Sequence, residues 1–228
     1  TLHHANTGNL DGRGVGDVDT LTVREFQSRS RLQRLFYRAY RHPVVLFGIG
    51  PAYLFLLRHR LPIGLMKEGM QYWISALATN LATAVILAGL MVAFGIGTTL
   101  LVVIPTVLVA ATTGVWLFYV QHQFEQAHWD RGEDWSFHNA ALHGSSHLDL
   151  PQPLRWFTGN IGMHHVHHLA SRIPFYRLPG VLKAYPQLRE LNRLTVPQTI
   201  KPLTLALWDE DKRRLVSFRE AARASAGR

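Results

Sequence analysis

The 228 residues suffice for one domain with a sizeable core, but only 17% are charged and the mean hydropathy is slightly positive, which sets the chain apart from ordinary soluble domains. Zero cysteines exclude disulfides, thiolate zinc sites and cysteine-ligated iron–sulfur clusters, so a metal here must rest on histidine or oxygen ligands. The net charge of +9 comes from 24 basic residues that are dispersed and mixed with 15 acidic ones; they read as orientation and headgroup contacts, and nucleic acid is not expected as a partner.

The chain opens with the pair His3-His4 and a Gly-, Asn- and Asp-rich loop to Asp19. It lacks an initiator methionine and a signal peptide, and is read as an N-terminally truncated piece. Thr20 then caps a basic amphipathic helix expected to run to about Tyr40 along the lipid headgroups. Residues 44–57 are apolar, but the run is short, contains Pro51 and ends on Arg58-His59-Arg60. An interfacial or re-entrant segment is expected.

From Gly69 to Phe124 there is no Asp, Glu, Lys or Arg. This stretch holds two runs long enough to span a bilayer, 73–94 and 98–120, and a turn as short as Gly95-Ile96-Gly97 predicts an antiparallel transmembrane hairpin. No basic residue lies in that turn, so both flanks are placed on the cytoplasmic side. If residues 44–57 do not cross, the two histidine-bearing ends meet on that side.

All 13 histidines lie outside the spans. His122 stands where the second run leaves the bilayer, at a depth that disfavours an unpaired polar ring, and is a candidate ligand. His143 and His147 have ligand spacing, but Gly144-Ser145-Ser146 between them is poor helix. His128 and His138 are weaker candidates, and His42 and His59 read as headgroup-level residues. Asn160 is expected to cap the next helix, with orienting a ligand as the alternative.

That helix carries His164-His165-Val166-His167-His168. At about 100° per residue His164, His167 and His168 share one arc of about 100°, while His165 falls roughly 60° outside it. Three imidazoles on one face point to a metal centre at a membrane surface, because neutral imidazole is the usual nitrogen ligand of transition metals. Pro174 and Pro179 end the cluster, and a charged amphipathic helix is expected over residues 203–222. The fold class is thus an all-α membrane protein: a transmembrane helical hairpin with cytoplasmic histidine-box helices and interfacial amphipathic helices, forming one partial domain over 1–228.

These motifs identify the family. Gly159 through Leu169 resembles the third histidine box of the integral-membrane fatty acid desaturases, of the bacterial acyl-lipid Δ12 (ω-6) and ω-3 type, and His3 through Leu10 resembles the end of their second box. Phe118–Glu125, Gly144-Ser145-Ser146, Asp149-Leu150-Pro151 and Ser171–Leu178 agree with the same family. The resemblance implies two non-haem iron ions, O₂ as co-substrate, and a cis double bond introduced into a membrane-lipid acyl chain. It implies His3, His4, His164, His167 and His168 as ligands, with His122 as a further one, and no catalytic residue beyond them. The first histidine of the second box would precede Thr1 and the first box is missing, so the chain alone is expected to be inactive. Electrons would come from a separate ferredoxin-like or cytochrome b5-like donor, and the bacterial cytoplasmic membrane is the expected location. A related di-iron acyl, alkane or carotenoid hydroxylase is the enzyme alternative. A membrane metal-binding or transport protein is the non-enzyme one, disfavoured because the spans lack polar ligands.

Overall fold

The computed structural model describes residues 2–14 and 16–226. In chain order they form α1 (Leu2–Asn6), β1 (Leu21–Thr22), α2 (Val23–Ser28), α3 (Arg31–Tyr40), α4 (Gly50–Leu56), α5 (Met70–Phe94), α6 (Ile96–His122) and α7 (Phe137–His143). There follow β2 (His147–Asp149), α8 (Gln152–Phe157), α9 (His164–Leu169), α10 (Leu178–Ala184), α11 (Gln187–Glu190), β3 (Arg193–Thr195), β4 (Leu205–Asp209), β5 (Arg214–Ser217) and α12 (Phe218–Ala226). Two compact units result, Arg38–Trp116 on the one hand and Thr1–Tyr37 with Leu117–Arg228 on the other.

In the first of these units α5 and α6 have 25 and 27 residues, more than the expected runs, and either is long enough to cross a hydrocarbon core of about 30 Å. They are joined through Gly95 alone, whose φ of +82° is open to glycine without the cost a Cβ brings. Large apolar side chains stand exposed all round, Val92 at 89% and Leu101 at 75% among them, a surface that lipid covers and water would not. Residues 44–57 are not such a helix: Val45–Ile49 is a π-helical turn that passes into α4, with Pro51 near its start. Pro51 has no N–H to give, and the hydrogen-bond ladder shifts register just ahead of it. Thr112 Oγ1 donates to the Phe47 carbonyl at 3.0 Å and Asn80 Nδ2 to the Arg60 carbonyl at 2.7 Å, which ties this segment to both long helices.

The second unit is built on a small sheet of order β1-β4-β5, parallel between β1 and β4 and antiparallel between β4 and β5. Leu205, Trp208 and Leu215 from it bury against Leu10, Phe124, Ala127 and Trp129. The Tyr37 hydroxyl donates to the Ala206 carbonyl at 2.7 Å and accepts from the Leu21 N–H at 3.1 Å, and the Tyr119 hydroxyl donates to the Leu205 carbonyl at 2.9 Å. β2 and β3 pair in parallel as a second, two-stranded sheet.

Two expectations are corrected here. The helix expected over 203–222 is a β-hairpin through residue 217, with helix only from Phe218. All five residues of β4 are buried, so Leu205–Asp209 is an interior strand, and the run of charges after it is a turn in which Arg213 takes a φ of +49°. The helix expected from Thr20 to Tyr40 starts instead at a Thr22 cap and breaks before α3. Thr22 and Glu25 form a capping box, and Ser30 pairs with Gln33 across the start of α3 at 3.0 and 3.3 Å, so two successive caps compete with one continuous helix.

Candidate metal centre

The last turn of α6 is held from both sides by buried Gln121. Its carbonyl accepts from the Ser146 N–H at 3.0 Å, and its side-chain amide donates to the Ile161 carbonyl at 3.0 Å. This places His122 opposite the turn that leads into α9. In that turn Gly162 lies so close to β2 that an added Cβ would sit 2.3 Å from the Leu148 carbonyl oxygen, where the Leu148 N–H donates to the Gly162 carbonyl at 2.8 Å. Asn160 does not cap α9, whose N-cap is Met163 without a side-chain bond. It takes a left-handed φ of +53°, which asparagine tolerates, and donates to the Phe175 carbonyl at 3.0 Å.

Within this frame the structure brings His3, His122, His164 and His168 together, with one nitrogen from each inside 4.8 Å of all the others. The Nε2 atom of His122 lies 3.1 Å from that of His3 and 2.9 Å from that of His164, and His164 Nε2 lies 3.1 Å from His168 Nε2. Two ligands at right angles on bonds of about 2.1 Å are separated by about 3.0 Å, so the spacing suits donors sharing one ion.

The far side of each ring decides which nitrogen is bare. His3 Nδ1 is 2.6 Å from Asp17 Oδ1, and a carboxylate can only accept, so the proton is on Nδ1. His122 Nδ1 faces the Gly144 carbonyl at 3.4 Å with the same consequence. The Thr7 hydroxyl donates to the His3 carbonyl at 2.8 Å, which leaves its oxygen to accept from His168 Nδ1 at 3.2 Å. With these Nδ1 atoms engaged, the neutral rings would turn three Nε2 lone pairs on one another, an arrangement that a cation relieves. His164, whose Nδ1 is buried without a partner among the described residues, completes the set. Burial, and then the neighbouring imidazoles, push His164 and His168 well below the usual histidine range, which keeps them in the neutral, metal-binding form. The residues present fit a histidine-ligated metal.

His4 and His167 lie beside this group and outside it. Their rings meet edge to face at 4.6 Å, and His4 lies 4.7 Å from His168. Burial first, then His167 and His3, lowers His4 to about 4, and burial lowers His167. His165 points elsewhere: its Nε2 is 2.8 Å from the Leu188 carbonyl, and its ring neighbour is His147 at 5.7 Å. His147 donates from Nδ1 to the Arg189 carbonyl at 2.6 Å, His128 pairs with Asp130 at 2.9 Å, and neither joins the cluster. His143 closes α7 and His138 is exposed on it. Asp17, Thr7 and the Gly144 carbonyl escaped the sequence reading, because nothing in a glycine-rich loop marks which acid or hydroxyl will face a ring.

Fold and site together fit a membrane protein with a polyhistidine cluster able to hold a metal. The sequence model of the family described as fatty acid desaturase matches residues 1–198, and the chain belongs to that family. It is 42% identical over 221 residues to a fatty acid desaturase of Bacillus subtilis, covering 96% of this chain and 62% of that protein. It is 26% identical over 187 residues to the sn-1 oleoyl-lipid 12-desaturase of Synechocystis sp., covering 77% of this chain and 49% of that protein. The chain thus spans about half to three-fifths of the length of these relatives.

Proposed function

We propose that the chain carries the metal-binding part of an O₂-dependent acyl-lipid desaturase that uses two non-haem iron ions. The observation that carries this reading is the convergence of one ring nitrogen from each of His3, His122, His164 and His168 within 4.8 Å of one another, found in a member of the desaturase family. These four would hold one ion, and His4 and His167 are the donors left for the second. With iron bound, the centre would use O₂, two electrons and two protons to take two hydrogens from adjacent methylenes, giving a double bond and two waters. Such unactivated C–H bonds lie beyond side-chain acid–base chemistry, which is why a metal is required.

The chain's own contribution is positioning. Asp17, Thr7 and the Gly144 carbonyl hold their imidazoles in one tautomer, and burial keeps water from the rings. Membrane location, the acyl-lipid substrate and the long apolar helices agree: a lipid tail reaches a site at the bilayer surface without crossing water. The distribution of basic residues supports the cytoplasmic side of a bacterial cytoplasmic membrane. A separate ferredoxin-like or cytochrome b5-like protein would deliver the electrons.

The test is expression of the gene, together with any coding sequence upstream of Thr1, in a host whose lipids are only saturated and monounsaturated, with fatty-acid analysis and iron determination on the purified protein. A new double bond, lost together with iron in His164→Ala, is the expected result. A hydroxylated acyl chain would reassign the reaction, and unchanged lipids with an iron-free protein would remove it.

A further inference from the structure

A cavity of about 570 Å³ opens beside His147. Four cations line it, Arg155, Lys183, Arg189 and Arg193, with two carboxylates, Asp149 and Glu190. Arg193 takes up both acids, at 2.6 Å to Asp149 and 3.4 Å to Glu190. Arg155, Lys183 and Arg189 have no ion pair among the described residues, and Arg155 Nε is buried without a hydrogen-bond partner there. Four cations against two carboxylates leave the lining net positive, a balance that a bound anion would offset. The volume falls in the range of small-ligand sites, and its concavity suits a compact group better than the face of a protein. Guanidinium forks with a lysine beside them match phosphate oxygens.

The surroundings favour a lipid as the source of that phosphate. Arg155 belongs to α8, where its neighbours Leu154, Trp156 and Phe157 are 52%, 63% and 77% exposed. Bare aromatic rings next to arginine are the composition of the bilayer interface. We infer that this cavity binds the phosphate of an anionic phospholipid headgroup through Arg155, Lys183 and Arg189. The site is separate from the histidine cluster and does not depend on the desaturation reading.

Thermal midpoints of the detergent-solubilised protein, titrated with phosphatidylglycerol, with diacylglycerol of the same chains and with inorganic phosphate, provide the test. Phosphatidylglycerol is expected to raise the midpoint saturably while diacylglycerol leaves it in place. The combined Arg155→Gln, Lys183→Gln and Arg189→Gln variant should weaken apparent affinity at least about tenfold, a loss of roughly 1.4 kcal/mol. The Arg172→Gln, Arg177→Gln control, outside the cavity, should bind as the parent does. Should the triple variant fail to fold, Lys183→Gln and Arg189→Gln are tested singly, and each must weaken binding severalfold. Unchanged affinity in these variants, or equal stabilisation by diacylglycerol, overturns the site. An equal response to inorganic phosphate at the same concentration overturns the lipid as its source.

Discussion

At the scale of single residues, the centre depends on groups that never touch a metal. Asp17→Asn leaves an acceptor for His3 Nδ1 but removes the carboxylate charge behind the ring, and iron affinity should fall about 10- to 100-fold with the fold intact. Metal titration alongside circular dichroism measures this, and unchanged affinity would make Asp17 a structural loop residue only. His165 answers a different question. It is fully buried on the Leu188 carbonyl, so His165→Ala should keep more iron than His164→Ala or His168→Ala while losing about 2 kcal/mol of stability. Burial first, and then His147, lowers His165 from 6.5 to about 4. A histidine depressed in the folded state contributes stability fully above its unfolded value, and this contribution is lost as pH falls through the folded one. The metal-free protein should therefore lose up to about 3 kcal/mol between pH 6.5 and 4 from this group, and His165→Gln should flatten the curve there. Equal pH profiles for parent and variant would exclude His165 as the cause.

At the scale of elements, α9 is only six residues long and lacks a side-chain N-cap, so its place comes from contacts around it. Gly162→Ala would drive a Cβ into the Leu148 carbonyl, which belongs to backbone and cannot swing aside. About 2 kcal/mol of stability and part of the iron should be lost together. Denaturant unfolding with iron determination checks this; a stable, fully loaded variant would show that β2 and α9 can separate without harm to the centre. That His164 and His168 would part from His165 was legible because i and i+4 share a helix face that i+1 leaves, whereas the place of His167 beside the four-histidine cluster and not in it was not legible. The long helices were legible because charge is absent over more residues than a span needs. The β4–β5 hairpin was not, since Leu205–Asp209 is buried on every side and so lacks the alternation that marks a half-exposed strand. Nor was the split into α2 and α3, where two caps in succession read as one amphipathic pattern.

At the scale of the whole molecule, the absence of cysteine lets single thiols report topology against a silent background. Cysteines at Gly12 and Ser171 should be labelled from the same face of the membrane, and one at Gly97 from the opposite face. Labelling of Gly12 and Ser171 from opposite faces would refute a shared centre. Gathering donors from distant stretches also fixes the order of events during synthesis. His122 and His164 are 42 residues apart, a gap a ribosome covers in roughly 2–8 s. Over that interval the second long helix is already complete, while the ring that must face His122 has yet to be made. Metal delivery therefore belongs to the finished chain, and cells starved of metal during a pulse of translation should still mature the protein when metal is supplied afterwards.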